Sequence, residues 1–409
     1  MMDQFYSREF IEIIQSNFNS QEHQFIIMKK KNKKMYINPE KYQNVSITSV
    51  SRERNVLEFI VTHIKFFALE YIRLRKLMKQ VDYIFIHNLT EEISGILFRF
   101  KGKAKILWVM WGVDLYNYIP LKLFDQCTSE LLIKLDSKVK SILLRLYFSF
   151  FHWIRKSVIK RVYIINSNKM DFRLLKKYFN TKAKWFSNGI YPNPINFEKL
   201  DKEIDFIDEK FKLKKNGEKL ILLGNSGVPT NNHLDAMIRL SKMKDHNFKI
   251  ICPLSYGPPI YIKKIIYEGK MIFGDRFIPL LEFLKPKIYF QILKQIDLAV
   301  MYHNRQQGGG SAHILIYLGK PICMKKTSGY FDLIEKGAIV FSIQDLNKLI
   351  LNEVEFTQTM VENNKKMATQ ELSTLKSAIS SVEMLLNILD NRKDISDLQG
   401  NVDNKFKGN

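Results

Sequence analysis

The 409-residue chain has only three cysteines, Cys127, Cys252 and Cys323, far apart and without a Cys-x-x-Cys pair. That argues against a disulfide framework or a zinc ribbon and makes a reducing cytoplasm the natural compartment. There is no His-Glu-x-x-His, no Asp-x-Asp and no histidine cluster at metal-ligand spacing, so no metal and no cofactor is expected. No apolar run reaches the roughly 18 residues that a membrane-crossing helix needs. The opening MMDQFYSREF lacks the basic start, apolar centre and small-residue cleavage site of a signal peptide. The chain is therefore expected to be soluble or peripheral, not integral.

What is present is a large apolar fraction, 46% against 26% charged, enough for a sizeable core in two or three domains. Basic residues number 64 and acidic residues 41, a net charge of +23. Such a surface favours polyanions: nucleic acid, anionic lipid or phosphate-bearing small molecules. A Lys-, Ile- and Asn-rich genome would raise the charge as well, but would spread it evenly. Residues 1–200 carry 34 basic and 17 acidic side chains, so +17 of the +23 sits in the N-terminal half. The asymmetry points to a function of that half.

Short apolar runs alternate with helix-like stretches along the whole chain. Strands are expected at His23–Met28, Asp82–His87, Ile106–Met110 and Val162–Asn166, then at Lys219–Leu223, Phe248–Cys252, Met271–Phe273, Leu298–Tyr302 and Pro321–Met324. Helices are expected at Asn231–Lys242, Ile260–Glu268 and Ile314–Leu318. The alternation predicts α/β architecture with doubly wound parallel sheets. A seam with Pro192, Pro194 and mixed charge divides domain 1–195 from domain 219–390 through a linker at 196–218. Residues 391–409 read as a disordered tail. Doubly wound domains open on a strand, yet residues 5–17 read as a helix running into His23–Met28. The first strand and its loop are thus expected to be missing or diverged.

Four segments are candidates for function. Strand Lys219–Leu223 runs into Gly224-Asn225-Ser226-Gly227, then to Asn231, His233 and a helix. Glycines permit a tight turn and close backbone approach, and a helix N-terminus offers N–H groups to phosphate; such a turn also serves as a plain connector. It is neither a Walker loop nor a GxGxxG. Strand Leu298–Tyr302 leads to His303-Asn304-Arg305-Gln306-Gln307-Gly308-Gly309-Gly310, then His313. Three successive glycines before a helix cost conformational entropy, which favours a binding loop over a flexible one. In Trp108–Tyr116, Asp114 follows a strand end and is either a general base or a helix cap. His87 closes the neighbouring strand. Across Lys134–Arg161, Lys134, Lys138, Ser141, Arg145, Ser149, His152, Lys156 and Lys160 recur at spacings of three and four beside an aromatic and aliphatic face. That pattern fits a helix lying on an anionic membrane surface, or a core helix showing its polar stripe.

Taken together, Trp111–Tyr116, Gly224–His233, Cys252–Gly257 and Arg305–Gly310 resemble the TDP-N-acetylfucosamine:lipid II N-acetylfucosaminyltransferase family of enterobacterial common antigen synthesis. The match runs from about His87 to Met324 in order and spacing. The resemblance implies a GT-B glycosyltransferase, with two Rossmann-like domains facing across a cleft, a TDP- or UDP-sugar donor and no metal. It implies a polyprenyl-diphosphate-linked acceptor and peripheral attachment at the cytoplasmic face of the bacterial inner membrane. Carried over, Gly224, Asn225, Ser226, Gly227, Asn231 and His233 belong to one phosphate loop, with Tyr256 and Gly257 beside it. Arg305, Gln306, Gln307 and Gly308 belong to a second donor loop, and Asp114 faces the acceptor as base with His87 as second candidate. The glycine run Gly308-Gly309-Gly310 and the apparent lack of a first strand depart from the family. A nucleotide-sugar 2-epimerase or hydrolase of the same fold, a basic nucleic-acid-binding protein and a non-catalytic membrane scaffold are the alternatives. No recognition motif supports nucleic acid, and a scaffold leaves both glycine loops unexplained.

Overall fold

The computed structural model describes residues 5–30, 37–50, 56–135, 142–192, 211–214, 217–371 and 375–390. The expected tail at 391–409, most of the linker at 196–218 and residues 136–141 of the basic stretch lie outside the described residues.

The first half of the chain forms α1 (Phe5–Asn17), β1 (Phe25–Lys30), β2 (Val45–Val50), α2 (Val56–Gln80), β3 (Tyr83–His87), α3 (Glu91–Arg99), β4 (Lys105–Val109), the short α4 (Val113–Tyr116), α5 (Gln126–Leu135), α6 (Ile142–Ile159), β5 (Val162–Asn166), α7 (Lys169–Phe179) and β6 (Lys184–Phe186). The second half forms β7 (Lys219–Leu223), α8 (His233–Ser241), β8 (Phe248–Pro253), α9 (Pro259–Phe273), β9 (Phe277–Leu280), α10 (Pro286–Lys294), β10 (Leu298–Met301), α11 (Gly309–Tyr317), β11 (Ile322–Met324), α12 (Ser328–Glu335), β12 (Phe341–Ser342), α13 (Leu346–Ile350), α14 (Gln358–Glu371) and α15 (Leu375–Leu389). These elements form two compact units. The first holds α1 to α4 with their strands, α6, β5, α7 and β6, and is completed by α15; the second holds α5 and everything from β7 to α14.

Every strand pairing in both units is parallel. In the second unit the strand order is β12-β11-β10-β7-β8-β9, the doubly wound pattern, and the order reverses between β7 and β10. Both central strands are buried on both faces. Leu220, Leu222, Ala299 and Met301 pack into one core with Ile292 of α10, Leu315 of α11 and Ala368 of α14. Ile221, Leu223, Leu298 and Val300 pack into the opposite core with Leu131 of α5, Met237 of α8 and Ile265 of α9. Two-sided burial is why these strands read as unbroken apolar runs instead of alternating ones. Each buried Leu or Ile contributes about 1.5–3 kcal/mol.

The first unit has a four-stranded sheet, β3-β4-β5-β6, and a separate pair, β1-β2. Leu107, Val109 and Ile164 pack with Phe10, Ile11 and Ile14 of α1 and with Val382 and Leu385 of α15.

The structure corrects two local expectations. Met271–Phe273 is the last turn of α9, not a strand. Its apolar residues continue the helical spacing of Tyr261, Ile265, Gly269 and Phe273, which are buried on one face. Gly274, at φ +58, ends the helix in the left-handed region, and the strand begins at Phe277. Nor is Lys134–Arg161 one stripe. Lys134 lies in α5 of the second unit, and the rest of the described stretch is α6 of the first.

Candidate functional site

In the second unit three loops meet at the C-terminal edge of the sheet, at the point where strand order reverses. β7 is followed by Gly224, whose φ of +70 requires glycine and whose N–H donates to Val300 O at 2.9 Å. A Cβ there would stand 2.8 Å from Asn231 Oδ1 and 3.2 Å from His233 Nε2. Asn231 is fully buried and staples the loop. Its Oδ1 accepts from Asn225 N at 3.1 Å, and its Nδ2 donates to Ser226 O at 2.9 Å, Ser226 Oγ at 3.2 Å and Val228 O at 3.0 Å. Gly227 N donates to Tyr256 O at 2.8 Å, tying in the loop after β8. A Cβ on Gly257 would overlap the Gly227 carbonyl.

The loop after β10 joins through side chains. Gln307 Nε2 donates to Asn225 Oδ1 at 3.1 Å, and Thr230 Oγ1 donates to Gln307 Oε1 at 2.5 Å. The Arg305 guanidinium lies 3.5 Å from Thr230 Oγ1. Gly308, at φ +69, brings the backbone so close that a Cβ would be 3.1 Å from Asn225 Cγ. Gly309 and Gly310 open α11, and no side chain caps its N-terminus; the N-terminus of α8 is likewise uncapped. The N-terminus of α11, without a side-chain cap and on the loop that carries Arg305, has the backbone N–H groups of an anion-binding arrangement.

The predicted residues thus divide by role. Asn225, Arg305, Gln306, Gln307 and the glycines form the junction, and Tyr256 stands half-exposed beside it. Ser226, Asn231 and His233 are buried and build the loop from beneath. His233 Nδ1 is 3.1 Å from Tyr261 Oη. Among the described residues the Nε2 of buried His303 has no hydrogen-bond partner. Burial pushes both imidazoles down to about 3, aided at His303 by Arg305.

Sequence reasoning missed the outer rim. Asn232, at φ +51, donates from Nδ2 to Leu123 O at 3.1 Å and accepts at Oδ1 from Asp125 N at 2.8 Å. Asp125 also accepts from Asn304 Nδ2 at 2.8 Å and pairs with the Lys325 ammonium, which donates to Asn304 Oδ1 at 2.8 Å. Asp235 caps α5, accepting from Cys127 N at 2.8 Å and Thr128 N at 2.9 Å. The residues before and within α5 are thereby docked on the junction. Their partners lie more than a hundred positions away, beyond any local pattern.

In the first unit Asp114 is 2% exposed. Oδ2 accepts from Leu89 N at 3.0 Å and Trp108 Nε1 at 2.7 Å, and Oδ1 from Trp111 N at 2.9 Å. Burial raises its pKa, opposed by the Arg155 guanidinium and these three donors. Arg155 is itself buried, donating to Leu89 O and Asp114 O and lying 3.8 Å from the Tyr118 ring centroid. Asp114 is therefore a girder between the ends of β3 and β4, not a carboxylate open to an acceptor. His87 is buried too, with Nδ1 on Tyr191 Oη and its ring 4.6 Å from Phe10. Burial holds its pKa well below the usual histidine value.

The expected polar stripe of α6 is in part an apolar one. His152, Lys156 and Ser149 face solvent, and so do Leu146 (64% exposed), Phe150 (54%) and Trp153 (56%). α2 packs beside α6 and exposes Leu69 and Ile72 next to Arg73, Arg75 and Lys76. Among the described residues no helix is long and apolar enough to cross a membrane, and no group of three His, Cys, Asp or Glu could hold a metal.

Comparison with known proteins places this geometry. Residues 140–377 match the model of the family described as 4-alpha-L-fucosyltransferase, glycosyl transferase group 56. Among solved structures, a glycosyltransferase from Rickettsia africae ESF-5 superposes with a TM-score of 0.57 at 13% identity, covering 94% of this chain and 95% of that one. Sucrose-phosphate synthase from Thermosynechococcus elongatus gives 0.64 at 9% identity, over 95% and 93%. WaaG, a glycosyltransferase involved in lipopolysaccharide biosynthesis, gives 0.56 at 12% identity, over 93% and 97%. At these identities the likeness is one of fold.

Two outcomes follow from the buried groups. Asp114→Asn turns an NH2 toward a backbone donor and loses a hydrogen bond, so the urea midpoint should fall by the equivalent of about 1–3 kcal/mol; an unchanged midpoint removes the girder role. Between pH 6.5 and 3 the folded chain, with His233 and His303 neutral, binds fewer protons than the unfolded chain. The stability from their neutral burial is complete above 6.5 and lost as the pH falls toward 3. Urea titrations at pH 7, 6 and 5 should show that decline, and His233→Gln should flatten it by one proton equivalent.

Proposed function

The chain belongs to the 4-alpha-L-fucosyltransferase family, glycosyl transferase group 56, and is a nucleotide-sugar-dependent glycosyltransferase of GT-B type; from that footing we propose that it moves an N-acetylfucosamine-like deoxyamino sugar from a TDP- or UDP-sugar to a polyprenyl-diphosphate-linked saccharide. The family's fucosyl description supports a fucose-configured donor. The three-loop junction of the second unit carries the reading. Its chemistry suits a nucleoside diphosphate, because backbone N–H groups, side-chain amides, the Thr230 hydroxyl and Arg305 gather there without a carboxylate among the junction residues.

In the reaction the acceptor hydroxyl oxygen forms a bond to the anomeric carbon as the bond from that carbon to the diphosphate oxygen breaks, and the hydroxyl proton passes to the departing diphosphate or to water. Charge gathers on the departing diphosphate. The first-turn N–H groups of α8 and α11, fixed before the donor arrives, stabilise that charge together with Arg305. Gly224 and Gly308 let the backbone come close enough to do so. The proposal thus assigns the diphosphate to protein groups, with no metal. Asp114 takes a positioning role: it holds Trp111 and the turn at Gly112 where β4 ends.

The lipid-linked acceptor accords with the surface of the first unit. Phe150, Trp153 and Leu146 between Lys156 and His152, with the basic and apolar residues of α2, suit an anionic headgroup layer. We place the enzyme as a peripheral protein on the cytoplasmic face of a bacterial inner membrane.

Titration calorimetry with TDP and UDP should show binding, and Gly308→Ala, which adds a Cβ at positive φ against Asn225, should weaken it about tenfold or more. Absence of binding by folded protein overturns the donor reading. Turnover of donor without acceptor would mark an epimerase or hydrolase instead. Flotation with phosphatidylglycerol vesicles should recover the protein, and the double substitution Phe150→Ala and Trp153→Ala should lower partitioning roughly tenfold or more; equal partitioning removes the membrane assignment.

A further inference from the structure

The second unit gathers positive charge at the edge of its sheet opposite the three-loop junction. α10 leads into β10 and α11 into β11, and both strands run parallel to their neighbours. The C-terminal ends of the two helices therefore stand where the strands begin. Between those ends and α14 lies a cavity of about 600 Å³, a volume that suits a small molecule. Four lysines line it: Lys294 in the last turn of α10, Lys320 just after α11, and Lys365 and Lys366 on α14. Among the described residues no carboxylate lines it. Residues 201–409 carry 30 basic and 24 acidic side chains, a net of only +6, so the cluster is a local concentration and not the average of this half.

Helix ends attract lysines because their last carbonyls lack partners. α11 has no such need. Leu318 N–H donates to Ile314 O at 2.9 Å, Gly319 N–H to Ile316 O at 3.0 Å and Lys320 N–H to Leu315 O at 2.8 Å. This is a backbone closure with Gly319 in the left-handed region at φ +63. The same glycine lets α14 press against the end of α11, since a Cβ there would stand 2.4 Å from Val361 Cγ1. Lys365 follows Val361 by one helical turn, so this close approach brings Lys365 and Lys366 to the cavity.

Ion pairing is the other common use of lysine. Among the described residues Lys320, Lys365 and Lys366 stand in no ion pair. Asp297 is the carboxylate whose field reaches Lys320, and both its oxygens are occupied: Oδ1 accepts from Lys214 Nζ at 2.6 Å and Oδ2 from Leu220 N at 2.8 Å. Burial lowers the Lys320 pKa, Asp297 opposes this, and Lys214, Lys365 and Lys294 lower it further. Like charges held together in a cleft repel one another and focus a positive field, and an anion relieves the repulsion.

We propose that the cavity between α10, α11 and α14 is a second anion site, apart from the junction, and that it takes a phosphate group of at least two negative charges carried on a larger body. The lysine ammonium groups are the donors. Thr369, also in the wall, turns its hydroxyl back to Lys366 O at 2.9 Å. Tyr317 and Leu318 supply an apolar wall for the body that carries the phosphate. A soluble phosphate ester and an anionic lipid headgroup share this chemistry.

Acetylation of the full chain with acetic anhydride, read lysine by lysine by peptide mass spectrometry, tests the site. Because each lysine is read separately, the result is independent of whether the junction binds nucleotide. Inorganic diphosphate should slow modification of Lys320, Lys365 and Lys366 at least fivefold and leave exposed Lys242 and Lys244 unchanged. Protection by diphosphate supports the site with a soluble phosphate as its ligand; protection by phosphatidylglycerol vesicles alone supports it with a lipid headgroup. Protection by neither, or equal slowing by sodium chloride at the same ionic strength, overturns the proposal. Lys365 and Lys366 are exposed, so the double substitution Lys365→Ala and Lys366→Ala leaves the core intact. In that variant the ligand concentration that half-protects Lys320 should rise about tenfold or more; an unchanged concentration overturns the proposal as well.

Discussion

The side-chain amide of Asn231 is the interaction on which the three-loop junction of the second unit depends. One fully buried residue accepts from one backbone N–H and donates to three oxygens within a turn of eight residues. That turn would otherwise carry buried, unpaired backbone groups, each costing about 1–3 kcal/mol. With Asn231 in place the loop is rigid enough for its glycines to serve as close contacts instead of loose joints. Asn225 then stands where Gln307 can reach it, and the loop after β10 acquires a fixed position. Without the staple the helix N-termini of α8 and α11 would still exist, but not in register with one another.

The first unit uses a different device for a comparable task. A buried carboxylate, Asp114, and a buried guanidinium, Arg155, both bond to backbone at the ends of β3 and β4. A charge buried alone is costly, whereas these two are joined through the backbone: Leu89 donates its N–H to Asp114 and offers its carbonyl to Arg155. Arg155 also stacks on Tyr118, so two of its nitrogens and its planar face have partners inside a mostly apolar helix face. The result is a stiff, aromatic rim made of Trp111, Tyr191 and Tyr6.

How much of this was legible in the residues follows from where the partners lie. β7, β8, β10 and β11 are short apolar runs buried on both faces, and such runs stand out. The triglycine and Gly224 stand out too, because positive φ at a strand end leaves few substitutes. β2, β6 and β12 escape notice, being polar, brief or at an edge. Met271–Phe273 looks like a strand because three apolar residues fit either period, and only the burial of Tyr261, Ile265 and Gly269 fixes the phase. Asp114 reads as a candidate base for the same reason that it is buried: it follows a strand end, and sequence alone does not say which way a carboxylate turns. Arg155 is one basic residue among several in its helix until its contacts to Leu89 and Asp114 are seen.

α5 belongs to the second unit although its neighbours in sequence, α4 and α6, belong to the first, and α15 returns to the first unit after the second is complete. The boundary is thus crossed more than once, and no single cut of the chain yields either unit whole. A fragment that starts in the stretch after β6 would retain Asp235 and lose the helix end that it caps. Asn232 would keep its left-handed turn and lose Leu123 and Asp125. The second unit is therefore not a segment of this protein but a composite, and an expression fragment that respects the fold needs residues from both sides of the stretch 140–194.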